Sequence, residues 1–299
     1  MRSSVQIEQF RQTIIELEQE GELIETPCDE GTMPFRIWRP WGDQLGGETL
    51  VFLHGGSGSW THWIRNIKVL SNYYDIVVPD LPGLGDASSL PDGYQPHDAA
   101  RWTAMGIEQI LGDHQGKPQR YHLIGFSWGC VPASLIAAQH GDLIKSLILV
   151  GPAAMGEMSR HVGMEPLIPR TREMSEDKIR AANRENLARL MIHDRKKIDD
   201  FSVFLQTENT YNARFSSPQF AKGTYVLDGI KTATAPLLVI YGEFDAPAYP
   251  NISTRRDMVM DVRPDASFEV IPDTGHWLQY ESSEVFNTRC VQWIEQHIF

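Results

Sequence analysis

A serine hydroxyl is a poor nucleophile at neutral pH unless a base beside it takes its proton and a third group orients that base. This chain of 299 residues holds candidates for all three roles. Ser127 lies in Gly125-Phe126-Ser127-Trp128-Gly129, a G-x-S-x-G sequence. His276 follows Pro272-Asp273-Thr274-Gly275. Histidine suits the base because its unperturbed pKa of about 6.5 lets it accept and return a proton within one cycle. Asp245, in Glu243-Phe244-Asp245-Ala246-Pro247, is the carboxylate that would fix the imidazole tautomer and stabilise the imidazolium. Glu243 is the rival acid, with Asp228, read as standing before a helix, and Asp273, in the tight turn beside the histidine, ranked behind it. Such a set attacks a carbonyl carbon and passes through an acyl-enzyme.

The oxygen of a carbonyl under attack gathers negative charge and needs N–H donors aimed at it. The N–H of Trp128, at the start of the following helix, is one. The other is expected from Gly56 in the loop His54-Gly55-Gly56-Ser57-Gly58-Ser59-Trp60, where glycines let the backbone approach a ligand. That loop lacks the lysine of a phosphate-binding loop, and no G-x-G-x-x-G fits it. His54 is read as a residue that braces the loop rather than as the base, and Asp80 as a brace for the turn-rich stretch 80–86.

The scaffold must bring these loops to one rim. Residues 120–124 read as a short apolar strand and 131–138 as a buried helix, so Ser127 stands in a sharp strand-to-helix turn. A serine there is held under strain, and both flanking glycines are needed where a Cβ would collide. Strands are expected at 33–39, 49–53, 75–79, 145–150, 235–242 and 267–271, most of them apolar throughout. Turn signals stand at Gly42-Asp43 and Gly46-Gly47. Helices at 97–112 and 283–297 complete an α/β alternation around a mostly parallel sheet. Asp245 and His276 each lie just beyond a strand end, on the rim that carries Ser127. Between 153 and 223 the texture changes to helical and methionine-bearing (Met155, Met158, Met164, Met174, Met191), as in an adaptable lid. Residues 1–152 and 224–299 are therefore expected to form the core, with 153–223 an inserted helical cap and 1–30 an N-terminal helical extension. In that extension Ile7, Phe10, Ile14 and Leu17 form one helical stripe, which fits packing across the core or a homodimer contact.

A net charge of −12 argues against nucleic acid as a partner. No stretch approaches the ~20 apolar residues of a membrane span, and the first residues lack an apolar secretion segment, so a cytoplasmic location away from membranes is expected. Cys28, Cys130 and Cys290 are scattered and form neither a disulfide framework nor a metal-ligand spacing. No metal or organic cofactor is expected, and the partner is a small-molecule substrate.

The ordered set His54-Gly55-Gly56, Gly125–Gly129, Gly242–Pro247 and Thr274–Trp277 resembles the α/β-hydrolase superfamily over roughly residues 33–299. The resemblance implies Ser127 as nucleophile, His276 as base, Asp245 as acid, and the amides of Gly56 and Trp128 as the oxyanion donors. A serine at the turn sets the chain apart from relatives with an aspartate nucleophile. Gly275–Glu281 is similar to the carbon–carbon-bond hydrolases of aromatic ring-cleavage pathways, which carry a cap arginine for the carboxylate of a vinylogous keto-acid. Aligning Met191–Asp194 with that cap stretch puts Gln206 where the arginine would stand, with Arg214 or Arg189 as substitutes. The expected activity is hydrolysis of small carboxylic esters, with carbon–carbon hydrolysis as the alternative. A ligand receptor with an idle triad is the reading from another class. Trp60, Met155, Gln206 and Trp277 are the expected substrate-lining residues.

Overall fold

The computed structural model describes residues 2–40, 47–112, 119–156, 165–171 and 173–298. The turn signals at Gly42-Asp43 and Gly46, and Met158 and Met164, lie outside the described residues. Helix α1 (Arg2–Gln19) leads into the hairpin β1 (Glu22–Cys28) and β2 (Gly31–Trp38). There follow β3 (Thr49–Leu53), α2 (Ile64–Leu70), β4 (Asp75–Pro79), α3 (Pro96–Leu111), β5 (Tyr121–Phe126), α4 (Cys130–Gln139) and β6 (Ile144–Val150). The segment expected to form the cap contributes α5 (Glu176–Leu190) and α6 (Asp200–Asn212), and α7 (Tyr225–Thr232), β7 (Leu237–Gly242), α8 (Ile252–Val262), β8 (Ser267–Ile271), α9 (Leu278–Glu281) and α10 (Ser283–Glu295) follow.

The eight strands form one sheet in the order β1-β2-β4-β3-β5-β6-β7-β8. β2 pairs antiparallel with β1 and β4, and all the later pairings are parallel. β3, β5 and β7 are buried at every position, as strands covered on both faces must be. Their side chains alternate between two cores: Val51, Leu53, Leu123 and Val239 meet α3, α4 and α7, while Leu50, Phe52, Ile124 and Leu238 meet α2 and α10. The chain leaves β3 for β4 on one side and returns to β5 on the other, so strand order reverses at β3/β5. A crevice opens at the carboxyl ends of strands at such a point, where α/β sheets hold their ligands. At the far edge β8 has β7 as its single neighbour, and only its last residue, Ile271, is buried.

Two features differ from the sequence expectation. Residues 22–28 form β1 rather than part of a helical extension. Only Thr26 and Cys28 are buried there, and Pro27 sits in the strand, which is tolerated because β1 is an edge. Asp228 lies within the first turn of α7, not ahead of it. The apolar stripe of α1 is covered within the chain. Phe10 packs against Phe201 and Phe204 of α6 with centroids 5.2 and 5.7 Å apart, and the Leu17 carbonyl accepts the Trp38 indole N–H at 2.7 Å.

Candidate active site

Ser127 follows the last residue of β5 directly and has φ of 52°, a left-handed conformation that costs a non-glycine residue about 1–3 kcal/mol. The neighbours permit it because they have no side chains. A Cβ on Gly125 would stand 2.8 Å from the Cα of Cys130, and one on Gly129 would stand 2.3 Å from the carbonyl oxygen of Leu53. The turn is thus pressed between its own helix and the end of β3, and Ser127 remains only partly buried.

Two loops complete the set. Asp245 stands three residues past β7 and is fully buried; His276 stands five past β8 and is 4% exposed. The Ser127 hydroxyl and His276 Nε2 are 2.9 Å apart, and His276 Nδ1 is 2.7 Å from Asp245 Oδ2. With Asp245 ionised, the Nδ1 proton lies toward the carboxylate and leaves Nε2 free to accept from serine. The rival acids are occupied elsewhere: Glu243 Oε2 accepts the Asp273 N–H at 3.1 Å, and Asp228 accepts from the Thr224 hydroxyl at 2.6 Å. Asp273 is exposed, at φ of 49°.

Gly151 has a role the sequence reading missed. Its φ is 51°, and a Cβ there would stand 2.7 Å from Asp245 Oδ2 and 2.9 Å from His276 Nδ1. A glycine placed directly after the buried strand β6 is the signal that could have flagged it. The acid and base loops also touch through backbone alone, since a Cβ on Gly242 would fall 2.2 Å from the carbonyl oxygen of Gly275.

The glycine loop after β3 lies against the serine turn. A Cβ on Gly55 would stand 3.2 Å from Ser127 Cβ, and one on Gly56 would stand 3.6 Å from Trp128 Cβ, so the two glycines lie directly against the turn at Ser127 and Trp128. His54 braces this loop: Nδ1 donates to the Gly55 carbonyl at 2.8 Å, and Nε2 accepts the Leu81 N–H at 2.9 Å. Asp80 accepts from the Trp60 N–H at 2.8 Å, the Asp86 N–H at 3.0 Å and Arg36 at 3.0 Å. His62 is a second brace, unanticipated from sequence. Its Nδ1 accepts the Gly55 N–H at 3.2 Å, and burial holds its pKa well below the ordinary histidine value. It is neutral, with its proton on Nε2, between Phe126 and Trp277. Cys130, in the first turn after Ser127, donates to the Gly125 carbonyl, and burial raises its pKa well above that of a reactive thiol.

The cap closes over Trp128. Phe215 and Phe220 pack on the indole with centroids 4.9 and 5.9 Å away, and the Ser217 hydroxyl stands 2.1 Å from where a Gly56 Cβ would be. The expected lining residues are distributed differently. Trp277 is fully buried, donates to the His62 carbonyl at 2.9 Å and stacks on Tyr280. Met155 is fully buried, its sulfur accepting from the Tyr241 hydroxyl at 3.3 Å. Trp60 lines a cavity of about 240 Å³ together with Ser59, Asp80, Phe204 and Asn209, a lining that does not include Ser127. Gln206 is buried on α6 with an unpartnered Oε1. Among the described residues no cluster of His, Cys, Asp and Glu could hold a metal ion.

Comparison with known proteins agrees with this architecture. The chain is 27% identical over 269 residues to a 2-hydroxy-6-oxononadienedioate/2-hydroxy-6-oxononatrienedioate hydrolase of Paraburkholderia phymatum, covering 84% of this chain and 88% of that one. A carboxylesterase of Bacillus subtilis superposes with a TM-score of 0.71 at 17% identity, covering 98% of this chain and 99% of its own. A meta-cleavage product hydrolase of Pseudomonas fluorescens IP01 superposes equally well, at 0.71 and 18% identity, over 93% of this chain and 99% of its own. The pattern of one family spans residues 50–289, from the strand before the glycine loop to the helix after the histidine, and the chain belongs to that family, the alpha/beta hydrolases.

Proposed function

We propose that this hydrolase cleaves a carbon–carbon bond next to a carbonyl in a dienoic keto-acid, the kind of product that aromatic ring cleavage generates, with Ser127 as nucleophile. The observation that carries the chemistry is the hydrogen-bonded chain Ser127–His276–Asp245. The substrate class is supported by the relative's 27% identity along 84% of this chain. In this reading the substrate first shifts a proton from its enol to carbon, so that the departing carbon's electron pair can spread into the adjacent carbonyl. Ser127 Oγ then adds to the carbonyl to be cleaved while His276 takes its proton, and the N–H groups of Gly56 and Trp128 hold the oxyanion. The carbon–carbon bond breaks, His276 protonates the leaving dienolate, and water activated by the same imidazole releases the acid from Ser127.

Ester hydrolysis through the same acyl-enzyme is the second reading, favoured by the state of the cap arginines. Arg214 donates to the carbonyls of Asn212, Gly85 and Ala87; Arg189 is held by Glu185, Glu165 and the Pro166 carbonyl. Neither is free to take a substrate carboxylate, and Gln206 is uncharged.

Parallel kcat/KM measurements on a 2-hydroxy-6-oxo-dienoate and on short-chain p-nitrophenyl esters decide between them. The expected outcome is a preference for the dienoate of about 100-fold or more, near 3 kcal/mol of transition-state stabilisation. A reversed preference moves the assignment to esters. S127A should lose about 10⁴-fold or more in kcat on the preferred substrate while keeping its circular dichroism. Wild-type turnover by S127A would end both readings.

A further inference from the structure

A buried carboxylate outside the triad ties the cap to the loop that carries the base. Glu281, at the end of α9, is 4% exposed. Its Oε2 accepts the N–H of Gly275 at 2.7 Å and that of His193 at 3.1 Å, and its Oε1 accepts the N–H of Asp194 at 2.8 Å. One donor belongs to the residue before His276; the other two belong to the cap segment between α5 and α6. The same seam is closed by a backbone bond from Trp277 N–H to the Met191 carbonyl at 2.7 Å. It is too tight for a side chain, since a Cβ on Gly275 would stand 2.6 Å from the His193 nitrogen. Among the described residues Glu281 takes no cation partner, and a carboxylate that gathers three backbone N–H groups out of water holds them by charge-assisted bonds stronger than neutral ones.

We propose that Glu281 is a positioning residue that couples cap docking to the alignment of His276 with Ser127, resting on the triad reading above. It does not touch the reacting atoms. Its two oxygens fix the backbone on both sides of the seam, so a shift of the cap segment is transmitted to Gly275 and so to the imidazole one residue on. An amide cannot replace it, because a glutamine offers one acceptor and turns an N–H₂ group toward a backbone N–H.

Phosphonylation of Ser127 by a p-nitrophenyl phosphonate reads serine–histidine alignment without requiring the natural substrate. The wild type should react stoichiometrically; if it does not, the triad reading fails, and that failure is separate from the test of Glu281. E281Q should react about 10- to 100-fold more slowly, the range a small misplacement of a catalytic group produces. It should also lose or shift the far-downfield proton resonance of the His276–Asp245 hydrogen bond. S146A, which removes a buried hydroxyl at the opposite end of the sheet, is the control for lowered stability and should keep both signals. A second pair isolates the cap side. D194P deletes one N–H at a φ of −78° that suits proline, whereas D194A keeps it; D194P should react several-fold more slowly than D194A. Should E281Q fail to fold, this pair decides alone. Wild-type rates in folded E281Q, or equal rates in D194P and D194A, overturn the proposal.

Discussion

At the scale of single residues, the site depends on side chains that are absent as much as on those present. Gly151 leaves the space in which Asp245 Oδ2 and His276 Nδ1 meet, and it adopts a left-handed backbone as well. Gly151→Ala is therefore expected to lower kcat by about 10²-fold, by forcing the acid and base apart, and to cost about 1–3 kcal/mol of stability. Stopped-flow turnover and urea unfolding of the variant check the two numbers, and wild-type turnover would show that the space is not needed. The meeting of Ser127, His276 and Asp245 was legible because each stands in a distinctive short context after an apolar strand. Gly151, His62 and Glu281 were not, because their partners are 94, 7 and 6 residues away and are often backbone N–H groups, which a sequence does not display. The engagement of Glu243, the rival acid, with the Asp273 N–H was hidden for the same reason.

At the scale of elements, α1 links layers of the molecule that the sheet alone does not join. Phe10 packs on Phe201 and Phe204 of α6, while Glu18 pairs with Arg36 of β2 at 2.7 Å. Asn209, further along α6, accepts from Ser59 at the end of the glycine loop and from Thr61 just after it. The cap is thus held at α1, at the glycine loop and at the histidine loop. Phe10→Ala should lower stability by about 2 kcal/mol, less than a fully buried phenylalanine because Phe10 is half-buried. A shift of the urea midpoint at unchanged m-value would establish it, and an unshifted midpoint would mean that α1 adds nothing to the cap. The parallel strands were readable as uniform apolar runs. β1 was not, because an edge strand with exposed Leu23 and an internal Pro27 carries little pattern, and neither were the inward faces of α5 and α6, whose neighbours come from distant segments.

At the scale of the whole molecule, three buried histidines are held neutral, and this sets the response to acid. Burial lowers the pKa of His122 to about 4, and those of His54 and His62 also lie below the ordinary value. The unfolded chain takes up these protons near pH 6.5 while the folded chain refuses them, so stability falls as pH drops from about 6.5 toward 4. Urea midpoints should decline across that window by an amount equivalent to about 1–3 kcal/mol for His122, and the decline should be shallower in His122→Gln. A midpoint constant from pH 7.5 to 4.5 would contradict this. Among the described residues no helix is long and apolar enough to cross a membrane. Ser127, Asp245 and His276, the proposed catalytic groups, hang from β5, β7 and β8, two of them interior strands and one an edge. Edge strands open by local fluctuation at lower free energy than the centre of a sheet. Amide protons of β8 should therefore exchange with deuterium earlier than those of β5, and catalytic activity should decay on warming before the cooperative loss of circular dichroism. The enzyme's working temperature would then be set by one outer strand rather than by the core that carries Ser127.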